Sequence, residues 1–213
     1  MSVRFLFSKF SLLLAAIFAF ALSPAFAQTP APAPAAPDLE NILVLDLSTG
    51  GRVTIQMYPT DAPAHIERIK TLTRQGFYNN VVFHRVIDGF MAQTGDPKGT
   101  GEGGSALPDL KAEFNRIPHL RGTVSMARTN EPDTANSQFF ICFQPRFNLD
   151  NKYTVFGRVT SGMQFVDAIA RGEPPVNPSK VIQASIAADN VPPPAFTSAP
   201  AEAPITLDQL NAG

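Results

Sequence analysis

The sequence predicts a mainly β protein, an antiparallel sheet rolled into a closed or nearly closed barrel with helices over its ends. Three observations carry this. Short runs rich in Val, Ile, Phe and Thr recur between Asp38 and Asn190, separated by Gly, Asp and Asn. Only two segments have the period of an amphipathic helix. Strands and helices do not alternate, so the βαβ logic of a parallel sheet is absent.

The elements follow in order. Ile42–Leu47 and Arg52–Tyr58 flank Thr49-Gly50-Gly51 and read as a hairpin. A helix follows: Thr60 or Asp61 can cap it and Pro63 suits its first turn. Ile66, Ile69 and Leu72 give it an apolar face, and Gly76 ends it. Strand-like runs come next at Val81–Val86, Phe90–Thr94, Thr123–Ala127, Gln138–Phe143 and Val155–Thr160. A second helix is expected from Ser161, where Ser161 and Gln164 form a capping box. Met163, Val166 and Ile169 face inward and Gly172 stops it. A last strand lies near Lys180–Ala187.

Outside this stretch the composition changes. Residues 1–27 read as a signal peptide: Arg4 and Lys9 are basic, Phe10–Leu22 is apolar, and Ala25-Phe26-Ala27 offers a cleavage site after Ala27. The apolar run is shorter than the roughly 20 residues a membrane-spanning helix needs, so no stable membrane insertion is expected after cleavage. With no adjacent arginine pair, the general secretory route and a periplasmic location are expected. Residues 28–37, QTPAPAPAAP, form an Ala/Pro tether, and 191–213 a tail of similar character. The single globular domain is 38–190.

The chain has 213 residues, 44% hydrophobic, which suffices for one sizeable core. A net charge of −1 gives no footprint for nucleic acid. One cysteine, Cys142, excludes an internal disulfide, and its small apolar character is reason enough for it. His65, His84 and His119 lack ligand spacing, so no metal is expected. A monomer is the expectation from balanced charge and the lack of a heptad.

The segment VVFHRVIDGFMAQTGD, Val81 to Asp96, mixes apolar residues with a cation and an amide. Side chains alternate along a strand, so Phe83 and Arg85 are expected on one face and His84 and Val86 on the other. Past the Asp88-Gly89 turn, Met91 and Gln93 share a face opposite Phe90 and Ala92. Arg85, Met91 and Gln93 can therefore meet, with Phe90 beside them, as an apolar floor with polar arms. In Ser125–Phe143, Gln138 and Phe140 alternate onto one face and Phe139 and Ile141 onto the other. Cys142 shares the face of Phe140.

FHRVIDGFMAQTGD, the loop GTGEGG, SMAR, NSQFFIC, LDNKYTVFG and the helix after GRVTSGM resemble, in order, the motifs of the cyclophilin-type peptidyl-prolyl cis–trans isomerases. The resemblance covers Ile42 to Ala187. It implies a closed eight-stranded antiparallel barrel capped by two α-helices, and an enzyme that accelerates rotation about X-Pro bonds without a cofactor. Its partners would be proline-containing segments of unfolded or exported proteins. By the resemblance, Arg85 donates to the prolyl nitrogen and Gln93 holds the substrate backbone. Phe90, Met91, Phe140 and Leu149 line the proline pocket. Ala127, Arg128 and Gln138 line the peptide groove, with Arg128 contributing mainly through its backbone because the family often has Asn there.

Two departures stand out. Asn148 replaces the tryptophan that many members have before Leu-Asp, which implies weak cyclosporin binding. Tyr153 replaces a frequent pocket histidine, keeping an aromatic wall and a hydroxyl.

Other readings are weaker. Gly99–Gly104 matches GxGxxG, but no βαβ unit surrounds it, so it reads as a groove-rim loop. Ser137 lacks a nucleophile elbow. Arg85 alone would read as a structural arginine paired with a carboxylate, and His84 as a packing histidine. A binding module of the same fold without turnover, or a structural envelope protein displayed by its proline-rich arms, are the rival functions. The Ala-Pro tether could also dock into the pocket, although a solvated linker accounts for its composition.

Overall fold

The structure is a computed structural model that describes residues 38–196. The expected signal peptide, the Ala/Pro tether and the tail beyond Phe196 lie outside the described residues. The strands are β1 (Ile42–Leu47), β2 (Gly51–Met57), β3 (Val81–Val82), β4 (Arg85–Ile87), β5 (Met91–Thr94), β6 (Thr123–Met126), β7 (Phe139–Cys142), β8 (Val155–Ser161) and β9 (Lys180–Ile186). The helices are α1 (Pro63–Arg74) and α2 (Met163–Asp167).

These strands form one curled antiparallel sheet in the order β3-β9-β1-β2-β8-β6-β7-β5-β4. The fold is mainly β with two helices, but the expected closed eight-stranded barrel is corrected. The ladder is a half-barrel of nine strands whose edges, β3 and β4, do not pair with each other. The cause lies in Val81–Val86, which the sequence presents as one strand. β3 pairs with β9, and Phe83 N still donates to Ser179 O at 2.8 Å. After His84 the chain changes partner, and β4 pairs with β5.

This break also overturns the expected alternation. Phe83 and Val86 both enter the main core, whereas Arg85 is only partly buried and lines a surface cavity. Beyond the turn, alternation holds. Ala92, Phe139 and Ile141 point into the main core with Leu43, Ile55 and Phe156. Met91, Phe140 and Cys142 point to the opposite face, where Ala127 and Leu149 join them in a second, smaller cluster. Full burial of one such large apolar side chain stabilises the fold by about 1.5–3 kcal/mol, so the larger cluster carries most of the stability.

Both helix starts differ from expectation. Thr60 does not cap α1; its hydroxyl bonds the Asp61 carboxylate instead. The N-cap is Ala62, without a side-chain bond. The first-turn donors Ala64 N and His65 N are taken by Glu113, 3.1 Å from each, which no local pattern could reveal. For α2 the expected capping box fails because Ser161 is the last residue of β8, opposite Thr54. Gly162 is the N-cap, with φ 84°, a conformation glycine adopts without strain. α2 ends at Asp167, short of the expected stop at Gly172.

Candidate active site

Register places the polar residues. Arg85 stands opposite Gln93 on β4–β5, and Gln93 opposite Phe140 on β5–β7. A small cavity of about 110 Å³ opens between them, lined by Arg85, Phe90, Met91, Gln93, Ala127, Arg128, Phe140, Leu149 and Tyr153. A larger cavity of about 610 Å³ adjoins it and shares Gln93, Ala127 and Arg128. Gln138 lines only the larger one, together with Gly101, Gly103 and Gly104 of the glycine loop. Arg85, Gln93 and the residues expected to line the proline pocket and the peptide groove thus all line one or both of two adjoining cavities.

The Arg85 Nε donates to Glu173 Oε2 at 2.9 Å. Both side chains are about half exposed, at 42% and 48%, so this ion pair contributes at most about 1 kcal/mol to stability. Among the described residues, no protein acceptor takes the terminal Nη groups. They remain available at the cavity wall as a permanent positive charge.

The amides are held in a relay. Gln138 Nε2 donates to Gly101 O at 2.9 Å and to Gly103 O at 2.8 Å. With both its N–H groups engaged, Gln138 must present Oε1 to Gln93, whose Nε2 donates to it at 2.8 Å. The glycine loop supplying those carbonyls is organised by Asp96, which is fully buried. Its carboxylate accepts from Lys98 N (2.8 Å), Thr100 N (2.9 Å), Gly101 N (2.7 Å) and Thr100 Oγ1 (3.2 Å). A side chain at Gly103 would collide with that carboxylate. Burial pushes the Asp96 pKa up, but the backbone donors, Lys98 foremost, outweigh it and hold the group below its usual value. Asp96 was not singled out from the sequence. The available signal was an Asp opening a glycine-rich loop, where its oxygens can bond the N–H groups downstream.

Behind the small cavity lies a buried polar unit. His119 Nδ1 contacts Asp150 Oδ1 at 2.8 Å, and the same oxygen accepts from His119 N at 2.8 Å. The ring lies stacked on Phe140 at 6.2 Å and edge-on to Tyr153 at 6.4 Å. His119 Nε2 lies 3.2 Å from Ser125 Oγ, which is fully buried and donates to Thr154 O. This Asp-His-Ser row is therefore a brace and cannot reach a substrate. Burial lowers the His119 pKa despite Asp150. Ser137 is likewise buried, bonding Gly95 O. Cys142 is buried and its pKa is pushed up to about 12, which keeps it a thiol. His84 is buried beside the glycine loop with neither ring nitrogen bonded.

Arg128, expected to contribute mainly through its backbone, has its side chain held by the protein itself. Its side chain is fully engaged: Nε and Nη2 donate to Lys152 O at 3.2 and 2.7 Å, and Nη1 to Thr129 O and Asn130 O at 2.8 and 3.1 Å. The guanidinium lies 4.5 Å from the centroid of the Tyr153 ring and 5.8 Å from that of Phe114. A shorter side chain such as Asn could not span these groups.

A curled antiparallel sheet carrying a cation, two coupled amides and an apolar slot on its outer face defines a cyclophilin-like protein. The family model described as cyclophilin type peptidyl-prolyl cis-trans isomerase/CLD matches residues 44–186. A probable peptidyl-prolyl cis-trans isomerase of Brucella suis is 48% identical over 170 residues, covering 72% of this chain and 86% of the relative. Peptidyl-prolyl cis-trans isomerase-like 1 of Aspergillus fumigatus is 42% identical over 153 residues, covering 68% and 94%. Among solved structures, cyclophilin AquaCyp293 from Hirschia baltica superposes with a TM-score of 0.67 at 29% identity, covering 73% of this chain and 77% of that one. A Cryptosporidium parvum cyclophilin-type isomerase, determined in the presence of the dipeptide Ala-Pro, gives 0.64 at 26% identity, covering 68% and 98%. The chain belongs to the cyclophilin-type peptidyl-prolyl cis–trans isomerases, and is an isomerase of class EC 5.2.1.8.

Proposed function

We propose that this chain accelerates rotation about X-Pro bonds at the small cavity, by non-covalent stabilisation of the twisted amide. The barrier to that rotation is about 18–20 kcal/mol because the amide loses resonance when it twists. In the twisted state the prolyl nitrogen becomes pyramidal and gains a basic lone pair. Catalysis therefore needs no nucleophile, only a dry slot, a donor at that nitrogen and a hold on the neighbouring backbone. Phe90, Met91, Phe140, Leu149 and Tyr153 supply the slot. The free Nη groups of Arg85 are the donor, and they gain strength where water is excluded. Gln93, oriented by Gln138, holds the peptide backbone, and Ala127 lines its path. Lowering the barrier to about 13 kcal/mol would give roughly 10³ events per second.

The single observation that carries this reading is the meeting of Arg85 with those apolar walls around one cavity. The presence of Ala-Pro with the Cryptosporidium isomerase agrees with a proline-containing substrate. The test is NMR exchange on a short Ala-Pro peptide with the full chain. Wild type should accelerate cis–trans exchange and Arg85→Ala should lose about 10²–10³ in kcat/KM. Equal rates would leave only peptide binding.

The enzyme acts, in this reading, on exported proteins in the periplasm. The leader-like residues 1–27 support it, with Ala25-Phe26-Ala27 as the cleavage signal and Gln28 as the mature start. N-terminal sequencing of the protein released by osmotic shock tests this; recovery of an intact Met1 in the cytosol would refute it.

A further inference from the structure

We propose that Arg128 is a positioning residue for the isomerisation site, fixing Tyr153 as the outer wall of the small cavity. The inference rests on the proposed isomerase reading and deepens it. Three features of the geometry support it.

First, the guanidinium covers the Tyr153 ring at 4.5 Å and also bonds the carbonyl of Lys152, the preceding residue. The ring and its own backbone are thus held by one rigid plane. Second, the same plane bonds Thr129 O and Asn130 O, so it ties the chain leaving β6 to the chain carrying Tyr153. Third, among the described residues no carboxylate pairs with Arg128; its hydrogen-bond acceptors are main-chain carbonyls. The charge serves orientation, at a residue that lines both cavities.

A planar fork is needed for this. Lysine keeps the charge but can neither lie flat on the ring nor bond three carbonyls along fixed directions. A role through charge alone and a role through geometry therefore predict opposite results for Arg128→Lys. Tyr153 is held from beneath by the edge contacts of His119 and Phe140, so losing Arg128 frees only the outer side of the ring. The proline ring would then be gripped less tightly, while the Arg85 donor stays in place.

The experiment uses the full chain and an Ala-Pro peptide. Wild type, Arg128→Asn, Arg128→Lys and Arg85→Ala are compared for kcat and KM, and for the Tyr153 ring signals after ¹³C-tyrosine labelling. Both Arg128 variants should raise KM by about fivefold or more and shift or broaden the Tyr153 signals, with kcat nearly unchanged. A merely structural role would change the unfolding midpoint without that split. Wild-type behaviour of Arg128→Lys would overturn the proposal in favour of simple charge, and wild-type behaviour of both variants would overturn any role. An inactive wild type would instead sink the isomerase reading itself.

Discussion

Asp96→Asn tests how far a residue outside the cavities controls them. One carboxylate oxygen accepts from Lys98 N, and the other from Thr100 N, Thr100 Oγ1 and Gly101 N. Asparagine keeps one oxygen. Turned to keep the three-donor side, it sets its NH₂ against the Lys98 N–H, donor facing donor. One charge-assisted bond, worth about 1.5–3 kcal/mol, is then lost, and three others weaken towards neutral strength. Part of this is offset because a buried charge no longer needs desolvating. We expect a net loss of about 3 kcal/mol, read by urea unfolding at pH 7. The difference from wild type should shrink in acid. The folded pKa of Asp96 is held below its ordinary 3.8, so its stabilisation is complete above that value and fades as pH falls through the folded pKa. Gly101 O and Gly103 O anchor Gln138, so kcat/KM should also fall, about fivefold, in protein that remains folded. A midpoint corresponding to less than about 0.5 kcal/mol of change, with full activity, would refute both the anchoring and the relay.

Two further outcomes are expected. His65, His84 and His119 are buried and burial lowers each pKa below 6.5, so the unfolded chain takes up protons that the folded one does not. Stability should fall as pH drops below about 6.5, by up to about 1.4 kcal/mol per pH unit for each histidine; a urea midpoint unchanged between pH 7.5 and 5.5 would contradict this. Gly95 has φ 91°, and a Cβ there would strike the Ser137 carbonyl oxygen and lie 2.8 Å from Gln138 Cα, so Gly95→Ala should cost at least about 2 kcal/mol and lower activity by displacing Gln138. Thermal unfolding checks it, and a variant as stable as wild type would show that the β5–β7 neighbourhood yields easily.

Much of this architecture was legible because strand alternation is a local rule. Met91 against Ala92, and Phe140 against Phe139 and Ile141, sort to opposite faces in the structure as period two requires. The helices were legible in position for the same reason, since their apolar spacing and glycine punctuation are local. The expectations that failed were those that depended on a distant partner. Val81–Val86 has the composition of one strand, yet Val81 and Val82 pair with β9 while Arg85 and Val86 pair with β5. The cap of α1 comes from Glu113, some fifty positions away. The anchoring of the Arg128 side chain was not legible because its acceptors are main-chain carbonyls, invisible to residue type. Glu173, the partner of Arg85, was missed because it lies far along the chain in a segment with no pattern of its own.

The two kinds of support have different consequences for the site. Met91 and Phe140 sit on strands whose other face is bolted into the main core, so they can move only if the core repacks. Gln138, Leu149 and Tyr153 lie outside the strands, and polar clamps restrain their surroundings. Asp96 gathers the loop N–H groups beside Gln138, and Asp150 takes both the backbone N–H and the ring nitrogen of His119 next to Leu149 and Tyr153. In each carboxylate burial raises the pKa, and bonded donors pull it below its ordinary value. Each also has a buried neutral histidine beside it, His84 near Asp96 and His119 on Asp150. Acid therefore acts on the loop side of the cavities through these groups, whereas the strand side is held by apolar packing that does not titrate. Acid should loosen the grip on the substrate backbone and proline ring while the sheet, and Arg85 with it, stays in place. Activity should accordingly decline through rising KM at a pH where strand-region circular dichroism is still native, and simultaneous loss of both signals would show that the site has no clamp separable from the core.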